Sequence, residues 1–600
     1  MEGVEQVPTP VEKKEDFTLN SPQVKKYLPW ILLAIFLVLG FTLRAYHLGY
    51  PVVGYHNWKE EHYLSEARNY ARNGFFANGF FVSQWDLPFL NEPADGAHSD
   101  TFQTTAILGA FVYQLFPDNL AALRSIGVLL NVASILLLYL IVKRLFKRED
   151  LALTTAALAA LNPLMIFFSR NFQLDSPALF LCLLGTWFYL NWLEKDRAWE
   201  GVLAVFCMLL GIITKYTFII LAVPWFALFP WKNVFAKEWW TKSHLRFAIA
   251  SAVLFVLSLT WLWYMEIYYK NLIKSLYHIT GGGAVISFAE IIQFTVVFTA
   301  DFWHTMTAFI ADNFTLLGIA FAGVGLVLLA LMWKKHREGS KYFLLYAGFG
   351  LAFFVILSYK LSGHSYHQYP YAPLIVFLIA YAFVVIGATI AGLVKVPHVK
   401  WVVITLLVLA LWPATHAALN RQFDTQFIGL DVAGDFIRQN SEPWERVFHS
   451  SQQSYGVLWH ADRKGYKLPS TAADLRAGEA ANVTWLFIYQ WRFDTFQNKD
   501  MMDYISTHYQ LRQIGFVQQN NQFTPYYFLL QKGGTFDINK FNEQLTNQPV
   551  QTKTYELSGG LLNFNYINLP RNAAMPANVT TTKAPVTKAP VANTTPSTSG

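Results

Sequence analysis

One stretch close to the start of the chain concentrates residue types that move protons and hold anions. It reads Gly54-Tyr-His-Asn-Trp-Lys-Glu-Glu-His-Tyr-Leu-Ser-Glu-Ala-Arg-Asn-Tyr-Ala-Arg-Asn-Gly74, and Lys59 to Arg72 has helical character that Gly74 ends. At helical spacing Glu60 lines up with Leu64, Ala67 and Ala71, whereas Glu61 lies on a polar stripe with Ser65, Arg68 and Arg72. A carboxylate on a packed face is the costlier one to keep, so Glu60 is the stronger functional candidate. Glu61 reads first as part of a solvated, mixed-charge helix. Asp175 opens an apolar run, a place where the helix dipole favours a carboxylate. The histidines His56, His62, His98, His304, His364 and His367, with Glu60 or Asp100, offer donors to a divalent ion such as Mg or Mn. No His-x-x-x-His or comparable spacing specifies one, so no metal ligands are assigned. The two cysteines, Cys182 and Cys207, lie inside apolar runs and supply neither a disulfide framework nor a zinc site.

These residues must be positioned by a membrane domain. Of 600 residues, 54% are hydrophobic and only 14% charged, against about 25% charged in soluble domains. A cytosolic enzyme is excluded on that ground. The net charge of +7 sits in short basic clusters between long apolar runs, a membrane pattern rather than a nucleic-acid one. A hydrocarbon core needs roughly 20 apolar residues per helix. Runs of that kind fall near 28–43, 123–142, 151–169, 175–193, 199–213, 217–231, 247–267, 314–333, 342–359, 370–394 and 400–418, about eleven spans. Every second connection is basic (Lys143 to Arg148, Lys195 and Arg197, Lys232 to Arg246, Lys334 to Lys341, Lys395 and Lys400), which places the N-terminus in the cytoplasm of a multi-pass plasma-membrane protein. An odd number of spans then puts everything after about Asn420 outside. The apolar segment 101–116 is read as a helix along the outer interface, because counting it as a span would invert that charge pattern.

The expected fold is therefore mainly α. A short cytoplasmic tail (1–26) precedes a polytopic domain (27–419) whose first outer loop is 44–122. An outer α/β domain (420–570) follows, with strands at Arg446–His449, Trp485–Tyr489, Arg512–Val517 and Tyr526–Leu530 and helices at 431–440 and 498–509. The remainder, 571–600, is a disordered Thr/Pro-rich tail. Asn-x-Thr sequons at Asn313, Asn482, Asn578 and Asn593 all fall on the outer side.

An acidic motif after the first span, an outer loop with interfacial helices, a second span ending in a basic cluster and an outer C-terminal domain resemble the GT-C class of membrane glycosyltransferases. The likeness is closer to the protein O-mannosyltransferase and lipid A aminoarabinose transferase branch. His56-Asn-Trp-Lys59 with Ala67-Arg68-Asn69-Tyr70 is similar to a His-x-Trp-Arg, Ala-Arg-Asn-Tyr pattern of some members. Leu161-Asn-Pro163 with Ser169-Arg170 and Asp175 resembles the next outer loop, as does the Thr214-Lys215-Tyr216-Thr217 turn, and Tyr366-His367-Gln368-Tyr369-Pro370 resembles a late outer-loop signature. The likeness spans roughly residues 28–420.

The resemblance implies transfer of a sugar from a polyprenyl phosphate to an acceptor hydroxyl on protein, lipid or polysaccharide at the outer face, usually with inversion. Such chemistry needs a base on the acceptor and cations on the departing phosphate. Members usually carry Asp as the catalytic acid, whereas here no Asp lies between His56 and Tyr70. That position meets Lys59 or His62, leaving Glu60 or Glu61 to act. Arg170, Lys215, Lys360, His364 and His367, at outer ends of spans, are the expected phosphate partners, with His56, Lys59, Asp175, Tyr216 and Tyr369 on the substrate by resemblance. A transporter or lipid flippase is the alternative class. It calls for internal repeats and ionisable residues at mid-span, and neither is visible.

Overall fold

The computed structural model describes residues 22–76, 82–83, 86–87, 97–98, 101–264, 293–450, 452–519 and 522–571. Nearly all of residues 1–26, Asp100, the sequons at Asn578 and Asn593 and nearly all of residues 571–600 lie outside them. The first apolar run is helix α1 (Pro22–Arg44), and Lys59 to Arg72 falls within α2 (Asn57–Asn73), closed at Gly74 with φ of 82°. Next come α3 (Thr104–Leu115), α4 (Leu120–Phe146), α5 (Glu149–Leu161), α6 (Pro163–Arg170), α7 (Asp175–Lys195) and α8 (Ala198–Thr214).

Among the described residues, seven helices are long and apolar enough to cross a membrane, or nine if two bent pairs each count as one span. The expected count of about eleven is not confirmed, and the difference lies at 199–231. There α8 has only 17 residues and is followed by the short stretch Tyr216–Leu228. At 1.5 Å per residue α8 reaches about 26 Å, short of a core about 30 Å thick. The segment expected to lie along the interface is α3, whose 12 residues extend only about 18 Å.

The run 151–169 divides into α5 and α6, bent by 52°. Pro163 has no N–H to continue the helix, and Asn162 caps the new one by accepting from Met165 N–H at 3.0 Å. The bend leaves carbonyls of Ala159 and Ala160 without helical partners, and the buried Arg44 guanidinium donates to both at 2.9 Å. Its Nε also donates to Asn131 at 2.7 Å. A second break, of 90°, separates Ala300–Asn313 from Leu316–Leu331. Asn313 lies at that break, buried, with Nδ2 donating to Ser365 O at 2.9 Å and Gln368 Oε1 at 3.0 Å. The expected sequon there is therefore not presented by the folded chain, whereas Asn482 is exposed.

After the last long helix (Val399–Asp424), the described residues form one eight-stranded sheet in the spatial order 86–87, 465–467, 446–449, 483–489, 522–532, 509–519, 560–568, 550–557. The first four strands are parallel and the rest antiparallel. The four strands read from sequence are present, three of them longer than expected. The hairpin at 550–568 and the short strand that the first outer loop adds at 86–87 are features that the sequence pattern does not announce. The sheet domain sits directly on α2. Arg68 donates to Asp462 at 2.6 Å, with its guanidinium 3.6 Å from the Trp459 ring centroid. Arg72 reaches the same carboxylate at 2.9 and 3.0 Å. Gly456 N–H donates to Asn57 Oδ1 at 3.1 Å, and Phe427 N–H to Val53 O at 2.6 Å.

Candidate active site

Helix α2 is buried along residues 60–70, so the solvated helix expected around Glu61 does not exist. The reason is tertiary: α3, the 171–174 segment and the sheet domain cover its separate faces. Glu60 receives Arg124 in a two-pronged pair, Nε to Oε1 at 2.7 Å and the second guanidinium nitrogen to Oε2 at 2.9 Å. Phe172 N–H adds a third donor at 3.0 Å. Arg124 also donates to the carbonyls of Leu48, at 2.9 Å, and Tyr50. Burial would raise the Glu60 pKa, but Arg124 with its hydrogen bonds more than offsets this and holds the group below the usual carboxylate range. Glu60 is thus a buried anion clamping α2 to α4 and to the turn after α1.

Arg170 belongs to the same frame. It is buried, lies 5.0 Å over the Phe423 ring and donates weakly to His47 O at 3.4 Å. Glu61 accepts from Ser65 at 2.7 Å, and His62 pairs with Glu66 at 3.0 Å. The arginine that fixes Glu60 is not among the residues singled out from the sequence, although a charge at the outer end of the apolar run 123–142 is a readable signal.

A second group of residues converges elsewhere, from four distant segments. His56, in the left-handed region at φ 60° just before α2, has its ring 5.1 Å from Tyr366 and 5.4 Å from His364. Trp58 lies 5.2 Å from His364, and Tyr366 lies 4.5 Å from His367. Lys215, in the break after α8, forms an ion pair with Asp175 at the start of α7 and lies 4.4 Å over the Tyr366 ring. The charges of Lys59, Lys215 and Lys360 all bear on His364 and His367. Burial, followed by those lysines, draws the His364 pKa down to about 4, and burial draws that of His56 well down. Both imidazoles are neutral near pH 7. Tyr216 opens the turn that follows Lys215. Tyr369 stands behind this group, its hydroxyl receiving Asn131 Nδ2 at 2.5 Å and meeting Ser176 Oγ at 3.2 Å, so it braces α7.

Of the residues expected on substrate, the fold brings together His56, Lys59, Asp175, Lys215, His364 and His367, and leaves Arg170 and Tyr369 in supporting positions. The expected catalytic Glu60 lies in the Arg124 frame. Neither ring nitrogen of His56 or His367 has a hydrogen-bond partner, nor does the Trp58 indole N–H. Buried polar atoms in that state are costly, on the order of 1–3 kcal/mol each, and their gathering beside three cations fits a polar, anionic ligand. Among the described residues no three His, Cys, Asp or Glu side chains come together as a metal site.

Residues 104–264 match the family model of dolichyl-phosphate-mannose-protein mannosyltransferase. The crystal structures of ArnT from Cupriavidus metallidurans, bound to undecaprenyl phosphate and in the apo state, are each similar with a TM-score of 0.54 at 14% identity, over 85% of this chain and 98% of that chain. The cryo-EM structure of arabinofuranosyltransferase AftD from Mycobacteria gives a TM-score of 0.40 at 13% identity, over 85% of this chain and 42% of that one. Comparison with curated protein sequences finds no match. The chain thus shares the fold of ArnT, and its residues 104–264 match the mannosyltransferase family model.

Proposed function

We propose that the chain transfers a sugar from a polyprenyl-phosphate carrier to an acceptor hydroxyl at the outer face of the plasma membrane. The observation that carries this reading is the convergence of Lys59, Lys215 and Lys360 on His364 and the buried His367, with Lys215 paired to Asp175. The ArnT structure, which binds undecaprenyl phosphate, supports a lipid phosphate as the anion. Orientation follows from the alternation of basic connections.

Asp175 is the carboxylate that stands within this group, and we assign it the role expected of Glu60 from the sequence. An ammonium carries three donors, so Lys215 has capacity to hold both Asp175 and a donor phosphate. Asp175 then accepts the acceptor hydroxyl proton as the oxygen attacks the anomeric carbon. The phosphate departs from the opposite face with its charge held by the lysines, giving inversion. Asp175→Asn should lower transfer by about 10²–10⁴-fold while donor binding persists, and Lys215→Met should weaken donor binding itself. A fully active Asp175→Asn protein overturns the assignment of the base. Carrier movement across liposomes without a covalent product overturns the enzyme reading in favour of transport.

A further inference from the structure

Two buried carboxamides adjoin the Lys215–Asp175 pair and take no part in the chemistry proposed for it. Gln103 is fully buried at the N-cap of α3, and Gln173 is 2% exposed two residues before Asp175. Neither the Nε2 nor the Oε1 atom of either residue has a hydrogen-bond partner. The backbone places them together. Phe102 N–H donates to Ile213 O at 2.9 Å, and the Thr104 and Thr214 hydroxyls meet at 2.6 Å, which ties the start of α3 to the residue before Lys215. Thr105 Oγ1 reaches Gln173 O at 3.5 Å, tying the same turn to the strand of chain that leads into Asp175. Helix α2 closes the region, with Tyr70 packed on Ala106 and Ala110. Glu66 lies two turns beyond Lys59, on the same face of that helix.

A buried carboxamide brings two donors and a two-fold acceptor, and native folds leave few such groups unmade. Groups that both donate and accept match sugar hydroxyls, which do the same. As neutral amides they offer no counter-charge to a carboxylate or ammonium on the ring. We infer that Gln103 and Gln173 hydrogen-bond the sugar ring of the donor beside its phosphate, and that this ring is an uncharged, hydroxyl-rich one. The inference rests on the glycosyl-transfer reading and goes beyond it by assigning the ring's recognition and its charge class.

The test uses the full chain in nanodiscs with three probes: undecaprenyl phosphate, the same lipid carrying a neutral hexose or pentose, and the same lipid carrying a uronic acid or amino sugar. Gln103→Met and Gln173→Met keep side-chain length and remove the hydrogen bonds. Each should weaken binding of the neutral-sugar lipid about tenfold, while bare undecaprenyl phosphate binds as it does to the wild type. Equal loss for both lipids, loss for neither, or wild-type preference for a charged sugar overturns the inference. Should the variants not fold, hydrogen exchange on the wild-type chain decides. Amides of 101–107 are expected to be protected by the neutral-sugar lipid and not by the bare one, and absence of that difference overturns the inference. A wild-type chain that binds none of the three lipids overturns the glycosyl-transfer reading itself, and this inference with it.

Discussion

Substitution of Glu60 separates a structural anion from a catalytic one. Its oxygens take two guanidinium hydrogen bonds and one backbone N–H, at 2.7, 2.9 and 3.0 Å, all out of water. Removing one partner of such a pair leaves the other charge buried and uncompensated, a loss of about 3–5 kcal/mol. Glu60→Gln turns one acceptor into a donor facing Arg124, so even this isosteric change should cost on the order of 3 kcal/mol. The double variant Glu60→Met, Arg124→Met removes both charges and should recover much of that loss, because a buried pair exchanged for apolar groups is often close to neutral. Denaturant unfolding of the purified protein in detergent measures the cycle, and specific activity of the folded fraction measures the chemistry. The expectation is a large loss of stability with continued turnover by protein that folds. Wild-type stability combined with abolished transfer in Glu60→Gln would refute the structural reading and restore Glu60 as the base.

Two further outcomes follow from the same geometry. Burial holds His460 and His364 near a pKa of about 4, below the unfolded value of about 6.5. Between those limits the unfolded chain binds more protons, so stability falls as pH drops from 6.5 toward 4 and is flat above about 7. The unfolding midpoint measured against pH checks this, and a protein that gains stability on acidification from pH 7 to 5 contradicts it. Asp462→Ala strips the buried Arg68 of its 2.6 Å partner and Arg72 of its own, a loss of about 3 kcal/mol. Limited proteolysis should then cut the sheet domain faster with activity reduced, and an unchanged digestion pattern would show that the domain does not depend on this anchor.

Apolar length and the alternation of basic clusters are local properties, so the membrane class, most long helices and the strands at 446–449 and 483–489 are legible in the sequence. So are His56, Lys59, Asp175, Lys215, His364 and His367, since each lies in a motif or at the outer end of an apolar run. The division of labour among the acidic residues is not legible there. Helical spacing places Glu60 on a packed face but cannot say that the packing partner is an arginine 64 positions away. The same spacing makes Glu61 look solvated, because nothing local announces that the sheet domain and α3 cover that helix. Length does not settle 199–231, where composition is apolar but the helix stops at Lys215, which pairs with Asp175. The sequence by itself therefore determined which residues lie at the ends of apolar runs. Tertiary structure alone decided which buried charges are satisfied by protein and which polar groups are left for substrate, because a charge's role depends on its nearest partners in space, and those lie far away along the chain.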